Sequence, residues 1–226
     1  MTSNILAGRY ADPTFNEIEL SALEWLDGFY SLEHLLCTRV WTIKLCADAS
    51  AELKFAALVH DAERFFPGGP TSTPSKFDDP DYLFAHSTRS ANIVEAWLRE
   101  RRPPPGEDYL GQVRRLILRH EIGGGWDADI LQAADSLSFL ETFDWLTVDW
   151  VRSGRYTIAQ AKEKLDFTVE RIRPSLALRY ALPLYERALR MLESAHEITM
   201  DLKQRREIAG NRRLLLGELP PARANE

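Results

Sequence analysis

Imidazole and carboxylate side chains carry the chemistry legible in this sequence. Of five histidines, His34, His60, His86 and His120 each fall on a different stretch of helical periodicity or at its end. Asp61 follows His60 directly in "ALVHDAERFF", and Asp135 stands among apolar neighbours in "LQAADSLSF". Such groups are costly to bury without a partner. One histidine per helix is what a metal site inside a helical bundle requires, because each helix aims one side chain at a common point. A mixture of imidazole and carboxylate suits Mn, Fe, Co, Ni or Zn better than Ca or Mg, as one ion or two. His60 and Asp61 are adjacent, about 100° apart on a helix, so both reach a single ion only at its edge.

The elements that must position these residues read as helices throughout. The periodicity predicts helices over residues 15–27, ended by Gly28, and over 30–47, carrying His34. Ser50 can cap a third, which runs to Pro67. A proline- and glycine-rich loop over 67–82 follows. Further helices are expected over 84–101, 109–121, 127–152 with Asp127 as cap, 157–172, and 176–208 with a bend or break at Pro183. The one short strand candidate is "RRLLLGEL" near the C-terminus. The expectation is an all-α fold: an N-terminal extension over 1–14, one metal-binding domain over 15–208, and a loose tail over 209–226.

Composition narrows the class. The 226 residues are 45% hydrophobic and 27% charged, with a net charge of −6. That is an ordinary globular balance, and it argues against binding nucleic acid by phosphate neutralisation. The arginine-rich stretch 99–119 reads as a solvated helix face. Cys37 and Cys46, nine residues apart on one helix, would lie about 13 Å apart and could not form a disulfide. No signal peptide or membrane span is visible, so the expected location is cytoplasmic.

Residues near the histidines offer roles in handling an anion. Glu63 and Arg64 share the His60 face at three and four residues' spacing. Glu63 could orient water or pass a proton; a surface carboxylate is the plainer alternative. Arg64 could clamp phosphate, or simply close a helix end. Arg89 stands three residues after His86, and Lys76 lies in the long loop; both are candidates for substrate contact. "GGGW" at 123–126 could cradle an anion before a helix, although a turn is the plainer reading. His196 reads as structural.

The order His34, His60-Asp61, His86, His120, Asp135 resembles the H…HD…H…H…D pattern of the HD-domain superfamily over about residues 30–145, with "LEH", "HSTRSA", "LRHE" and "ADSLSFLE" around the ligands. The resemblance implies a single all-helical HD-domain bundle. It also implies a metal-dependent phosphohydrolase, in which His34, His60, Asp61 and Asp135 hold a first ion. His86 and His120 hold a second, with Asp61 bridging. The expected substrate is a small phosphorylated metabolite, a nucleotide first, attacked by metal-activated water with Asp61, Glu63 and Arg64 taking part. Some similar proteins use the same ligands as mixed-valent di-iron oxygenases. A metal- or nucleotide-binding regulatory protein without catalysis is the third reading. The long last helix leaves a homodimer possible.

Overall fold

The computed structural model describes residues 10–68 and 76–195. Among these there are nine α-helices and no strand: α1 (Glu17–Trp25), α2 (Leu32–Leu45), α3 (Ala51–Val59), α4 (Pro80–Glu100), α5 (Glu107–Arg119), α6 (Trp126–Thr142), α7 (Asp144–Arg152), α8 (Ile158–Glu170) and α9 (Ser175–Glu193). The all-α expectation holds. The strand candidate "RRLLLGEL", His196 and most of the 1–14 extension lie outside the described residues. None of the described helices is long and apolar enough to cross a membrane.

The centre is α3. Leu53, Phe55, Ala56, Ala57, Leu58 and Val59 are all fully buried, so this helix is apolar on every side and must be wrapped. It packs against α1, α2, α5 and α6. The broadest helix contact is α2 on α6, while α4 pairs with α5, and α9 closes over α6, α7 and α8. At about 1.5–3 kcal/mol for each buried Leu or Phe, this core fixes where the chemical side chains point. On the outside, Arg39 of α2, almost wholly buried, bonds to Glu19 and Asp12 and ties the chain entering α1 to the core.

Several boundaries differ from expectation for local reasons. The first helix stops at Trp25, before Gly28. Ser50 caps α3 as expected, its Oγ accepting from Leu53 N at 3.1 Å. α3 ends at His60 instead of running to Pro67, and a 3-10 turn (Ala62–Arg64) follows. α4 begins earlier than expected because Asp79 caps it and Pro80 occupies its first turn, where the missing N–H costs nothing. Asp127 is not a cap: α6 starts at Trp126 after Gly125. Gly123, Gly124 and Gly125 all have positive φ, which only glycine adopts freely. Gly124 N donates to Asp129 Oδ1 at 2.8 Å, so "GGGW" is a turn with that amide engaged. The expected helix over 127–152 divides at Phe143 into α6 and α7. α9 continues through Pro183 without ending there.

Candidate metal centre

His60 and His120 occupy equivalent places, the C-caps of α3 and α5. Each ring turns back on its own helix: His60 Nδ1 lies 3.1 Å from Ala57 O, and His120 Nδ1 lies 2.7 Å from Ile117 O. A carbonyl only accepts, so each Nδ1 carries the proton and satisfies one of the carbonyls a helix end leaves open. His86, inside α4, donates from Nδ1 to Glu63 Oε1 at 2.7 Å. His34, in the first turn of α2, meets Ser138 Oγ at 2.8 Å. That hydroxyl donates to His34 O at 2.7 Å, leaving its lone pairs to accept from Nδ1. All four rings are therefore held through Nδ1–H, which turns all four Nε2 atoms toward a common centre.

Those four Nε2 atoms face carboxylates. Asp135 Oδ1 lies 3.1 Å from His34 Nε2 and 3.5 Å from His60 Nε2. Asp61 Oδ1 lies 2.8 Å from His86 Nε2 and 3.9 Å from His120 Nε2. Nε2 of His60, His86 and His120 is buried and makes no hydrogen bond among the described residues. Lone pair against lone pair repels unless a cation lies between. For a metal with bonds of roughly 2.1 Å, adjacent ligand atoms sit about 3.0–3.4 Å apart in octahedral or tetrahedral geometry. The shorter of these separations are of that size. Three groups have donor atoms within 4.8 Å of one another: His34–His60–Asp135, His60–Asp61–His120, and His86–His120–Glu121. These buried groups can hold a metal ion.

The end of α3 resolves how His60 and Asp61 share the centre. Asp61 leaves helical geometry, with φ −99° and ψ 15°, so its carboxylate swings toward His86 instead of lying 100° away around a helix. The histidines form the floor of the cluster, with side chains at most 3% exposed, whereas Asp61 and Asp135 are 13% and 10% exposed. The carboxylates are thus the less covered side of the cluster.

Charged neighbours set the ionisation. Burial would raise Asp135, but Arg171 and the contacts of His34 and His60 outweigh it and hold the carboxyl well below its usual range. Asp61 is likewise held well below, with burial opposed by Arg64 and His86. Glu121 falls to about 2, burial being overcome chiefly by Arg171. Burial pushes His120 down to about 4. His60 moves upward, because contact with Asp135 and the charges of Asp61 and Asp135 overcome its burial.

The other predicted residues fall around this cluster. Glu63 is buried behind His86, away from the carboxylates, and its N–H donates to Ser90 Oγ. Arg64 holds Asp61 Oδ2 at 3.1 Å and donates to Tyr82 Oη. Arg89 donates to the carbonyls of Phe66 and Pro67 and lies 3.5 Å from Glu63, so it straps the chain after the 3-10 turn. Lys76 is exposed, and no contact joins it to the cluster among the described residues. The metal-ligand candidates are brought together; Lys76 is not.

Arg171 of the loop after α8 was not foreseen. It is 8% exposed and donates to Asp135 Oδ2, Glu121 and Ser136 Oγ. By holding Oδ2, it leaves Asp135 Oδ1 for the histidines. Ser138 was missed as well, although its place three residues after Asp135 puts it on the same helix face. A cavity of about 290 Å³ lined by Trp145, Val148, Asp149, Arg152, Met191 and Ser194 shares no residue with the cluster. Comparison of the chain with protein-family models, curated proteins and solved structures finds no match.

Proposed function

We propose that this chain is a metal-dependent phosphohydrolase of the HD type, acting on a small phosphorylated metabolite, with a nucleotide as the first candidate. The observation that carries the metal is the convergence of four Nδ1-tethered imidazoles, their Nε2 atoms directed at two carboxylates. The order of those ligands along the chain supports the HD assignment. His34, His60, Asp61 and Asp135 would hold one ion; His86 and His120 would hold a second, with Asp61 shared and Glu121 in reach. When bound, such ions lower the pKa of a coordinated water and polarise a phosphoryl oxygen.

The chain's own groups prepare that chemistry. Ser138, Ala57, Glu63 and Ile117 each fix one imidazole through Nδ1, so no ring must reorient when the centre is filled. Arg64 and Arg171 each take the second oxygen of a ligand carboxylate. The imidazoles add no negative charge, so two divalent ions would keep net positive charge beside Asp61 and Asp135, which favours an anionic substrate. Glu63, tucked behind His86, orients a ligand instead of meeting substrate.

Phosphorus NMR tests the proposal. Metal-stripped protein is reloaded with Mn, Fe, Co, Ni or Zn and offered nucleotides and sugar phosphates, with Asp61→Ala as control. A new phosphorus resonance that needs metal and Asp61 is the expected result. Silence across the panel from folded, metal-retaining protein overturns the hydrolase. Oxygen consumption by the iron-loaded form would replace it with an oxygenase.

A further inference from the structure

Lys164 is a half-buried lysine that the metal centre as described does not use. It belongs to the face of α8 that leads to Arg171: Phe167 follows at three residues and Arg171 at seven, two turns along. Arg171 grips Asp135, and one turn beyond Asp135 on α6 comes Phe139. Because α6 and α8 pack together, Phe139 meets Lys164 as Asp135 meets Arg171. The Lys164 ammonium lies 5.0 Å from the Phe139 ring centroid, 5.4 Å from Phe167 and 5.7 Å from Phe77. All three are within cation–π range.

Three rings fix the position of this ammonium but give it no acceptor. Among the described residues its Nζ has no hydrogen bond and no ion pair. Glu121 and Asp135 attract it from a distance, while Arg171 and Arg64 oppose it. Burial and those guanidiniums together push its pKa down to about 8. Its surroundings thus join the carboxylate side of the cluster, where the ligands are least covered, to an ammonium with unused N–H groups.

We propose that Lys164 is the substrate-anchoring cation of this site, its ammonium donating to an oxygen of a phosphate-type oxyanion seated on the less covered, carboxylate side of the cluster beside Asp135. The inference rests on the metal-dependent phosphohydrolase reading and adds the residue that recognises the anion. The aromatic collar holds the charge in place before the anion arrives, which reduces the ordering cost of binding. An anion there also completes a charge pattern in which Arg64 and Arg171 are already committed to ligand carboxylates.

The test is binding of inorganic phosphate to the manganese-loaded full chain by titration calorimetry, with manganese content measured on the same samples. Lys164→Met keeps an unbranched apolar stem among the three rings, and Lys164→Gln keeps a donor without the charge. Both are expected to weaken phosphate binding about ten- to a hundredfold, as for loss of a charge-assisted hydrogen bond. Manganese content should not change, and Lys164→Arg should restore most of the affinity. Phosphate affinity equal to wild type in a folded, manganese-loaded Lys164→Met or Lys164→Gln overturns the assignment and leaves the metal centre standing. Manganese-loaded wild type that takes no phosphate does the same. Wild type that retains no metal removes the metal reading and this inference together.

Discussion

Replacing His120 by leucine separates a metal ligand from a histidine that merely packs. The ring is fully buried. Its Nδ1–H donates to Ile117 O, and its bare Nε2 lies 3.7 Å from Glu121 Oε1 and 3.9 Å from Asp61 Oδ1. In metal-stripped protein the substitution loses one hydrogen bond, about 1 kcal/mol, and costs about 1 kcal/mol of misfit. It also removes an unsatisfied buried nitrogen, which returns about 1–3 kcal/mol. The net change is within about 1 kcal/mol, or a melting shift of roughly 2–4 °C for a chain of this size. In wild type, free metal at about a hundred times Kd adds about 2.7 kcal/mol, roughly 5–11 °C; in His120→Leu most of that gain disappears. Melting followed by circular dichroism, with and without manganese, reads both quantities. A variant that melts more than about 10 °C below wild type after stripping, beside a wild type indifferent to metal, would make His120 a core residue and refute the reasoning.

The same pair of proteins carries a pH test. His120 in the fold has its pKa lowered from 6.5 to about 4, so between these values the unfolded chain binds a proton that the folded chain refuses. Its contribution to stability is therefore full above pH 6.5 and lost as pH falls toward 4. Metal-stripped wild type should lose about 3 kcal/mol relative to His120→Leu across that window, which urea unfolding at stepped pH measures. Arg171→Met leaves Asp135 and Glu121 without their buried guanidinium and should cost about 3–5 kcal/mol in stripped protein. Manganese should recover a larger share of stability there than in wild type, because it would pair with the same carboxylates; calorimetric melting with equal deficits in both states would contradict that.

The helices were legible because apolar spacing is a local property, and Ser50 marked the start of α3. The candidate ligands were legible too, because imidazole and carboxylate are conspicuous against that spacing. What the pattern could not supply was the end of α3. A continuous helix would have held His60 and Asp61 100° apart, and only the turn at Asp61 lets them share a centre. That turn depends on Ser90 accepting from Glu63 N and on Arg89 holding the carbonyls of Phe66 and Pro67, contacts from a helix more than twenty residues away. Arg171 and Lys164 were illegible for a related reason. Each reads alone as a charge on a solvated helix face, and only the packing of α8 on α6 turns that face inward. Phe143, which divides the expected long helix, carries no breaker signal; its ring lies 5.2 Å from the His34 ring.

The balance of energies at the cluster is itself an argument about purpose. Three buried Nε2 atoms without hydrogen bonds cost about 1–3 kcal/mol each, a total comparable with the whole stability of an ordinary domain. Hydrophobic side chains of similar size would remove that cost, since well-packed apolar groups commonly equal or exceed buried polar clusters in stability. The carboxylates relieve it only in part: Asp135 and Asp61 draw His60 and His86 upward against their burial. With every Nδ1 already protonated, a proton on any Nε2 creates a buried imidazolium, and burial holds His120 free of one down to about pH 4. A divalent cation would relieve all of these at once: it would coordinate the buried nitrogens, offset the charge of Asp61 and Asp135, and separate oxygen and nitrogen atoms that otherwise face each other. The cluster thus costs the metal-free fold stability that a bound cation would return, and that cost supports the proposed metal centre.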